Sequence, residues 1–256
     1  MEQKGRLMGK FDGILIASDL DGTLLYDMKV SPENREAIEY FIKGGGKFTV
    51  ATGRAPEFVK RLHIPTNAPL ILVNGTVVYE NEKIIKSYTF EPEMIKAVPE
   101  LMELFKVIRV SVFSPAEDFI PEPKPEYFIN HTKPINKIVF VFENAEKAVS
   151  AREYLKEKYS PECVFERSWP EGVEMRSAYG GKGECLSFIK EYTGVKTVIG
   201  AGDWENDRTL LERADISYAP TNAHPEILKI ADKVLVHHKD HLIAHIIEDI
   251  EKGLDV

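Results

Sequence analysis

After a polar N-terminal stretch, the chain opens on a short, nearly continuous apolar run, Gly13–Ser18. Continuous apolarity over so few residues predicts a strand buried on both faces, as in parallel sheets. Ser31-Pro32 then predicts a helix start, with serine as N-cap and proline in the first turn. Ala37, Ile38, Phe41 and Ile42 fall on one face of that helix, and Gly44-Gly45-Gly46 ends it. A second strand is expected over Lys47–Thr52, a short helix over Pro56–Leu62 and a third strand over Leu70–Val73. This alternation predicts a βαβαβ run with parallel strands and right-handed crossovers.

The texture changes after Val73. Asn74-Gly75 is a hairpin signal, and Thr76–Glu80 and Lys83–Tyr88 read as antiparallel arms around Asn81-Glu82. The following segment reads as a separate α+β unit. Its expected helices are Met94–Phe105 and Ala145–Tyr159. Its expected strands are Val107–Phe113, Lys137–Phe142, Cys163–Arg167 and Val173–Arg176. The proline-rich stretch Ser114–Pro125 reads as an exposed loop. The last third returns to the first pattern. Helices are expected over Lys182–Tyr192, Trp204–Arg213, Pro225–Ala231 and Leu242–Ile250. They alternate with strands over Lys196–Ala201, Asp215–Ala219 and Lys233–Val236. The expected fold is α/β. Residues 1–86 and 179–256 form a parallel-sheet core, and residues 87–178 form an inserted α+β domain. Such an insert would stand above the strand carboxyl ends, where open α/β sheets bind ligands.

Composition narrows the function. A chain of 256 residues with 43% hydrophobic and 29% charged residues can bury a core without staples. Basic residues number 33 and acidic residues 41, a net charge of −8, which disfavours a nucleic-acid binder. The two cysteines, Cys163 and Cys185, make neither a disulfide framework nor a zinc site and point to a reducing, cytoplasmic setting. No apolar run is long enough to span a bilayer, and no apolar signal segment is expected at the N-terminus.

Chemistry concentrates at the predicted strand ends. Asp19-Leu20-Asp21-Gly22-Thr23 follows the first strand directly. Residues two apart on extended chain point the same way, so two carboxylates should face one cleft. A turn explains one Asp and one Gly, but not a paired carboxylate. A calcium loop fails because Leu24 stands where its glycine belongs. Gly202-Asp203-Trp204-Glu205-Asn206-Asp207 follows a second buried strand. On a helix start, Asp203, Asn206 and Asp207 would converge on one face. Capping by Asp203 is the plain alternative, but it requires neither of the other two. A carboxylate cluster at a strand end suits a hard cation such as Mg²⁺. Thr52-Gly53-Arg54 ends the second strand, where a hydroxyl and free backbone N–H groups can hold a phosphate. By itself that tripeptide is equally a turn. Lys182 lies in Gly180-Gly181-Lys182-Gly183, which is no nucleotide P-loop, since Arg176 takes the place of the first glycine. Taken alone, Lys182 is an exposed helix-start lysine.

In order and spacing, these four segments resemble the four motifs of the haloacid dehalogenase superfamily, over nearly the whole chain. Ala51-Thr52-Gly53-Arg54, Val73-Asn74-Gly75, the position of the insert and Gly202–Asp207 resemble its Cof-type phosphatases with a type IIB cap. The resemblance implies a Rossmann-like core with an inserted α+β cap that acts as lid and specificity domain. It implies a phosphatase acting on a small phosphorylated metabolite, such as a sugar phosphate. Asp19 would be the nucleophile that forms an aspartyl-phosphate. Asp21 would be general acid and then base. Thr52 and Lys182 would bind the transferring phosphoryl group, with Leu20, Gly53, Arg54 and Asn206 lining the phosphate. Asp19, Asp21 through its carbonyl, and Asp203 would hold Mg²⁺, with Mn²⁺ an alternative, and Asp207 would support them. Trp204, Arg208-Thr209 and Tyr218–Asn222 depart from the usual pattern.

A phosphomutase or phosphotransferase would use the same residues with a sugar hydroxyl as acceptor. A binding protein on the same scaffold would need no paired acid and nucleophile. His237, His238, His241 and His245 cluster near the C-terminus, but without a zinc-protease glutamate they read as a polar helix end. Phe119 and Tyr127 are candidate substrate contacts from the insert.

Overall fold

The computed structural model describes residues 9–96, 98–115 and 118–254. Residues 1–8 of the polar N-terminal stretch, and Ala116 and Glu117 of the proline-rich stretch, lie outside the described residues. The central sheet is five-stranded and parallel. Its order is Lys233–Val234, Ile216–Ala219, Thr197–Ala201, Ile14–Ser18 and Lys47–Val50. The run Leu15–Ser18 is buried throughout, as expected of a strand covered on both faces. Ile14 pairs with Thr197 and Ser18 with Ala201, so these two strands end level with each other. Their next residues lead into Asp19 and Asp203, and this register brings two acidic turns side by side.

The helix Pro32–Lys43 begins as predicted, the Ser31 side chain accepting from Asn34 N, and ends at Gly44. Ile38 and Phe41 are buried on its inner face. They join Phe11, Phe48, Ile199 and the final helix, Leu242–Leu254, in the larger apolar cluster. Among the described residues, no helix is long and apolar enough to cross a membrane.

The third expected strand runs over Leu70–Leu72 and meets the edge of the parallel sheet in parallel, through the bridge of Ala51 with Ile71 and the Thr52 N–H donating to the Ile71 carbonyl at 2.9 Å. It then heads an antiparallel sheet with Val77–Glu80 and Lys83–Ser87. The predicted hairpin stands at Asn81-Glu82, both residues having positive φ, 49° and 62°.

Between this sheet and the helix Lys182–Thr193, the chain builds a second five-stranded sheet, entirely antiparallel. Its order is Cys163–Glu166, Gly172–Ser177, Lys137–Val141, Arg109–Ser114 and Asp118–Pro121. One face packs on the helices Val98–Leu104 and Ala145–Tyr159 in a separate apolar cluster that includes Val112, Ile138, Phe140 and Met175. Two expectations are corrected here. The stretch Ser114–Pro125 is not wholly loop, because Asp118–Pro121 pairs as an edge strand, where proline is tolerated. The helix expected over Met94–Phe105 is described over Val98–Leu104, and a 3-10 turn occupies Pro92–Ile95. The whole is an α/β fold with a Rossmann-like parallel sheet and an inserted α+β unit.

Candidate active site

The candidate site lies at the carboxyl ends of three adjacent strands of the parallel sheet, Thr197–Ala201, Ile14–Ser18 and the edge strand Lys47–Val50, and just beyond them. Asp19 follows Ile14–Ser18 and is 6% exposed, its N–H donating to the Ala201 carbonyl at 2.8 Å. Asp203 follows Thr197–Ala201 and is equally buried. Thr52, fully buried, follows Lys47–Val50, and its hydroxyl accepts from Arg54 N at 3.1 Å. Gly22 sits in the turn between Asp21 and Thr23 with φ +85°, and a Cβ there would stand 2.4 Å from Asp203 Oδ2. Only glycine allows the two acidic turns to approach so closely.

Lys182 is the link. It begins a helix, and its side chain is fully buried. Nζ lies 2.7 Å from Asp19 Oδ1 and 2.5 Å from Asp207 Oδ1. One oxygen from each of Asp19, Asp203 and Asp207 lies within 4.8 Å of the others. Burial and the nearby Asp207 raise Asp19 well above the usual carboxylate range, with Lys182 opposing the shift. Burial and Asp207 push Asp203 up to about 7, against a hydrogen bond from Thr23 Oγ1 at 2.8 Å. Burial disfavours the Lys182 ammonium, but Asp19 and Asp207 outweigh it and hold the lysine above its ordinary value. Three acids around one lysine leave excess negative charge in a dry site.

The segment after Asp203 differs from its expected helix. Glu205–Asp207 is a 3-10 turn, and the α-helix runs only over Arg208–Arg213. Asp203 is not the N-cap. Instead Asp207 Oδ2 accepts from the N–H groups of Asp203 and Trp204, at 3.0 and 3.1 Å. Asp207 thus serves two elements at once, one oxygen binding Lys182 and the other closing the turn that presents Asp203.

Asn206 is buried. Its Nδ2 donates to Asn74 Oδ1 at 3.1 Å, and its Oδ1 is buried without a hydrogen-bond partner. An orphaned acceptor beside three carboxylates is a place for a donor from outside the chain, such as the hydration water of a hard cation.

Asp21 does not join this buried cluster. Its side chain is 44% exposed and accepts both forks of Arg54, each at 2.9 Å. The Arg54 guanidinium also lies 4.4 Å over the Phe58 ring. Leu20 packs its side chain into the core, leaving its backbone as the only part able to meet a ligand. Gly53 lies against Asn74. Tyr127 packs with Phe128 and His131 in the inserted unit, whereas Phe119 is half exposed against Phe113. His238 and His241 are engaged separately, by the Leu25 carbonyl and the Ser31 hydroxyl.

Sequence reasoning gave no role to Thr23, Asn74, Lys137 or Glu174. Asn74 has a left-handed backbone, φ 57°, and joins Asn206 to the inserted unit. Its sequence signals were the hairpin pair with Gly75 and the Val73-Asn74-Gly75 segment of the family resemblance, neither of which assigns it a contact. Lys137 and Glu174 reach the core from the inserted sheet.

Comparison with known proteins agrees with this geometry. The family model for haloacid dehalogenase-like hydrolases matches residues 16–124 and 117–247. The chain is 27% identical to the 5-amino-6-(5-phospho-D-ribitylamino)uracil phosphatase YwtE of Bacillus subtilis, over 93% of this chain and 98% of that protein. It is 29% identical to phosphoglycolate phosphatase 2 of Saccharolobus solfataricus, over 94% of this chain and 93% of that one. Among solved structures, a haloacid dehalogenase-like hydrolase from B. subtilis superposes with a TM-score of 0.79 at 22% identity, covering 91% of this chain and 98% of its own. A subclass IIB sugar phosphatase, BT4131, superposes with a TM-score of 0.78 at 20% identity, covering 94% and 99%. The chain belongs to the haloacid dehalogenase-like hydrolase family.

Proposed function

We propose that this enzyme is a Mg²⁺-dependent phosphatase that releases phosphate from a small phosphorylated metabolite through an aspartyl-phosphate on Asp19. The observation that carries the reading is Lys182 bound to both Asp19 and Asp207, with Asp203 inside the same cluster. Binding alone needs no buried carboxylate held against a lysine. A nucleophile that must approach a phosphate dianion does, because like charges at about 4 Å repel by several kcal/mol in a dry site.

In this reading an Asp19 carboxylate oxygen attacks phosphorus, and the bond to the ester oxygen breaks with its electron pair. Asp21 supplies the proton to that oxygen. Water then attacks the acyl phosphate, Asp21 takes its proton, and inorganic phosphate leaves with Asp19 restored. Asp21 and Arg54 are half exposed, so both can exchange partners as substrate enters. Lys182 and the Thr52 hydroxyl hold the equatorial phosphoryl oxygens in place. Asp19, Asp203 and the Asp21 carbonyl would hold the cation, and the donor set fits, being oxygen only and carrying excess negative charge. When bound, Mg²⁺ would offset the charge of nucleophile and phosphate together. We read residues 87–178 as the cap that closes over the site and excludes water.

The test is phosphate release from a panel of sugar phosphates, nucleotides and cofactor phosphates, with Mg²⁺, with EDTA, and with Asp19→Asn. The expected result is release that needs Mg²⁺ and is lost in the variant. Release that survives Asp19→Asn would overturn the assignment of the nucleophile.

A further inference from the structure

The sheet of the inserted unit has two unlike faces. One carries Val112, Ile138 and Met175 in its apolar cluster. The opposite face carries charge and reaches the core. On it Lys137 and Glu174, from neighbouring strands, lie with Nζ 3.3 Å from Oε2 and side chains only 2% and 4% exposed.

Fold stability does not account for this pair. Each buried ion costs several kcal/mol in lost hydration, and apolar residues of equal volume are often as stable or better. The neighbouring pair Arg176–Glu166 has a structural task, since its guanidinium also donates to the Ser177 and Gly180 carbonyls where the chain returns to the core. Lys137 and Glu174 instead point into the site. Lys137 Nζ donates to the Gly53 carbonyl at 3.1 Å, next to Thr52. Glu174 accepts from Asn74 Nδ2, and the Asn74 carboxamide oxygen accepts from Asn206. Burial pushes the Lys137 ammonium below its ordinary value; Glu174 opposes that, and nearby Lys182 adds to it. The Phe113 ring lies 4.8 Å from Nζ, with half-exposed Phe119 against it.

We infer that Lys137 and Glu174 form the specificity pair of this site, receiving the alcohol half of the phosphoric ester and selecting a neutral, hydroxyl-rich leaving group over a carboxylate-bearing one. The inference rests on the phosphatase reading. An ammonium offers donors and a carboxylate offers acceptors, and neighbouring hydroxyls present both. Such hydroxyls can replace the bonds the pair now makes to Gly53 and Asn74. A carboxylate in the leaving group would gain from Lys137 but meet Glu174, and like charges in a closed site are strongly unfavourable. A leaving group without hydroxyls would leave both buried charges short of partners, which a polar site rejects.

The experiment compares kcat/KM, with Mg²⁺, for ribitol 5-phosphate, glucose 6-phosphate, phosphoglycolate and p-nitrophenyl phosphate. The better hydroxylated ester should exceed phosphoglycolate by about a hundredfold or more. Glu174→Gln should narrow that ratio by about tenfold, chiefly by raising KM for the hydroxylated ester. Lys137→Gln should lower the ratio of hydroxylated ester to p-nitrophenyl phosphate by a similar factor. A wild-type preference for phosphoglycolate, or variants that slow all four esters by one common factor, would overturn the inference. If a variant fails to fold, the wild-type ratio decides. Hydrolysis of none of the four would remove the phosphatase reading and this inference with it, whereas hydrolysis with the wrong ratio removes the inference alone.

Discussion

Lys182 Nζ stands 2.7 Å from Asp19 Oδ1, between two segments 163 residues apart in the chain, and both side chains are buried. The lysine neutralises Asp19 and Asp207 in the resting protein, and in the proposed reaction it would also hold the incoming phosphate. Lys182→Met removes one cation from a cluster of three acids. Breaking a buried pair in this way costs about 3–5 kcal/mol. Thermal melts at neutral pH in EDTA should show the loss, and Mg²⁺ should restore part of it. Turnover should fall by at least about a hundredfold with or without Mg²⁺, because the phosphoryl contact is not replaced. A variant melting like wild type in EDTA would contradict the neutralising role.

Asp203 gives a pH signature. Its folded-state pKa is near 7 against an ordinary 3.8. The folded protein therefore holds a proton there that the unfolded chain has released, and stability falls as pH rises from about 4 to 7. At 1.36 kcal/mol per unit the full effect is up to about 4 kcal/mol. Asp203→Asn removes this titration. In EDTA the variant should gain melting temperature relative to wild type as pH is raised through that window, and should differ least near pH 4. Mg²⁺ should stabilise wild type above pH 7 and leave the variant unmoved. A constant difference between the two across the window would contradict the burial argument.

The acidic strand ends were legible because each follows a continuous apolar run, and a carboxylate there has no packing reason to exist. Lys182 was legible only through motif order, since a helix-start lysine is ordinarily solvated. Lys137 and Glu174 were hidden for a related reason. They alternate with apolar neighbours along their strands, the pattern of a half-exposed sheet. Only contact with the core buries them. The helix expected over Trp204–Arg213 failed at its first turn because the Asp207 side chain takes two backbone N–H groups and tightens it. The edge strand Asp118–Pro121 was masked by prolines, which deplete strands on average but fit at an edge.

Gly75 fixes where Lys182 starts its helix. It has φ +75°, and a Cβ there would stand 2.0 Å from the Gly181 carbonyl carbon. Its own carbonyl accepts from Gly181 N at 2.9 Å and from Cys185 Sγ at 3.0 Å. Gly75→Ala must push the backbone ahead of Lys182 away, so a loss of about 3 kcal/mol or more and a collapse of turnover are expected. Gly194→Ala is the control. It too has positive φ, +68°, but nothing lies within 4 Å of its Cβ position. Conformational strain alone, about 1–2 kcal/mol, should then lower the melting temperature without touching kcat. Equal effects in the two variants would show that contact with Gly181 is unimportant.

Glu205 joins the acidic turn to the inserted unit. It lies between Trp204 and Asn206, and it accepts from Arg152 Nη1 at 2.7 Å and from the Arg167 guanidinium. Burial disfavours its charge, but Arg167 and Arg152 outweigh that and hold the carboxyl below its usual range. The three side chains are 13–19% exposed, so salt screens them less than a surface pair. In the proposed lid motion, closing the inserted unit would make these contacts and opening would break them, so Glu205 would couple lid position to the turn that carries Asp203 and Asp207. Glu205→Gln keeps the shape and removes the charge. A loss of about 1–2 kcal/mol from the closed state shifts the opening equilibrium by about 5–30-fold. KM should rise within that range while kcat changes less, and the ligand-free radius of gyration in small-angle scattering should increase. Arg167→Met should act in the same direction, and the two changes together should cost less than their sum, because each removes the same contact. A variant with wild-type KM and an unchanged radius of gyration would show that closure is held elsewhere along the interface.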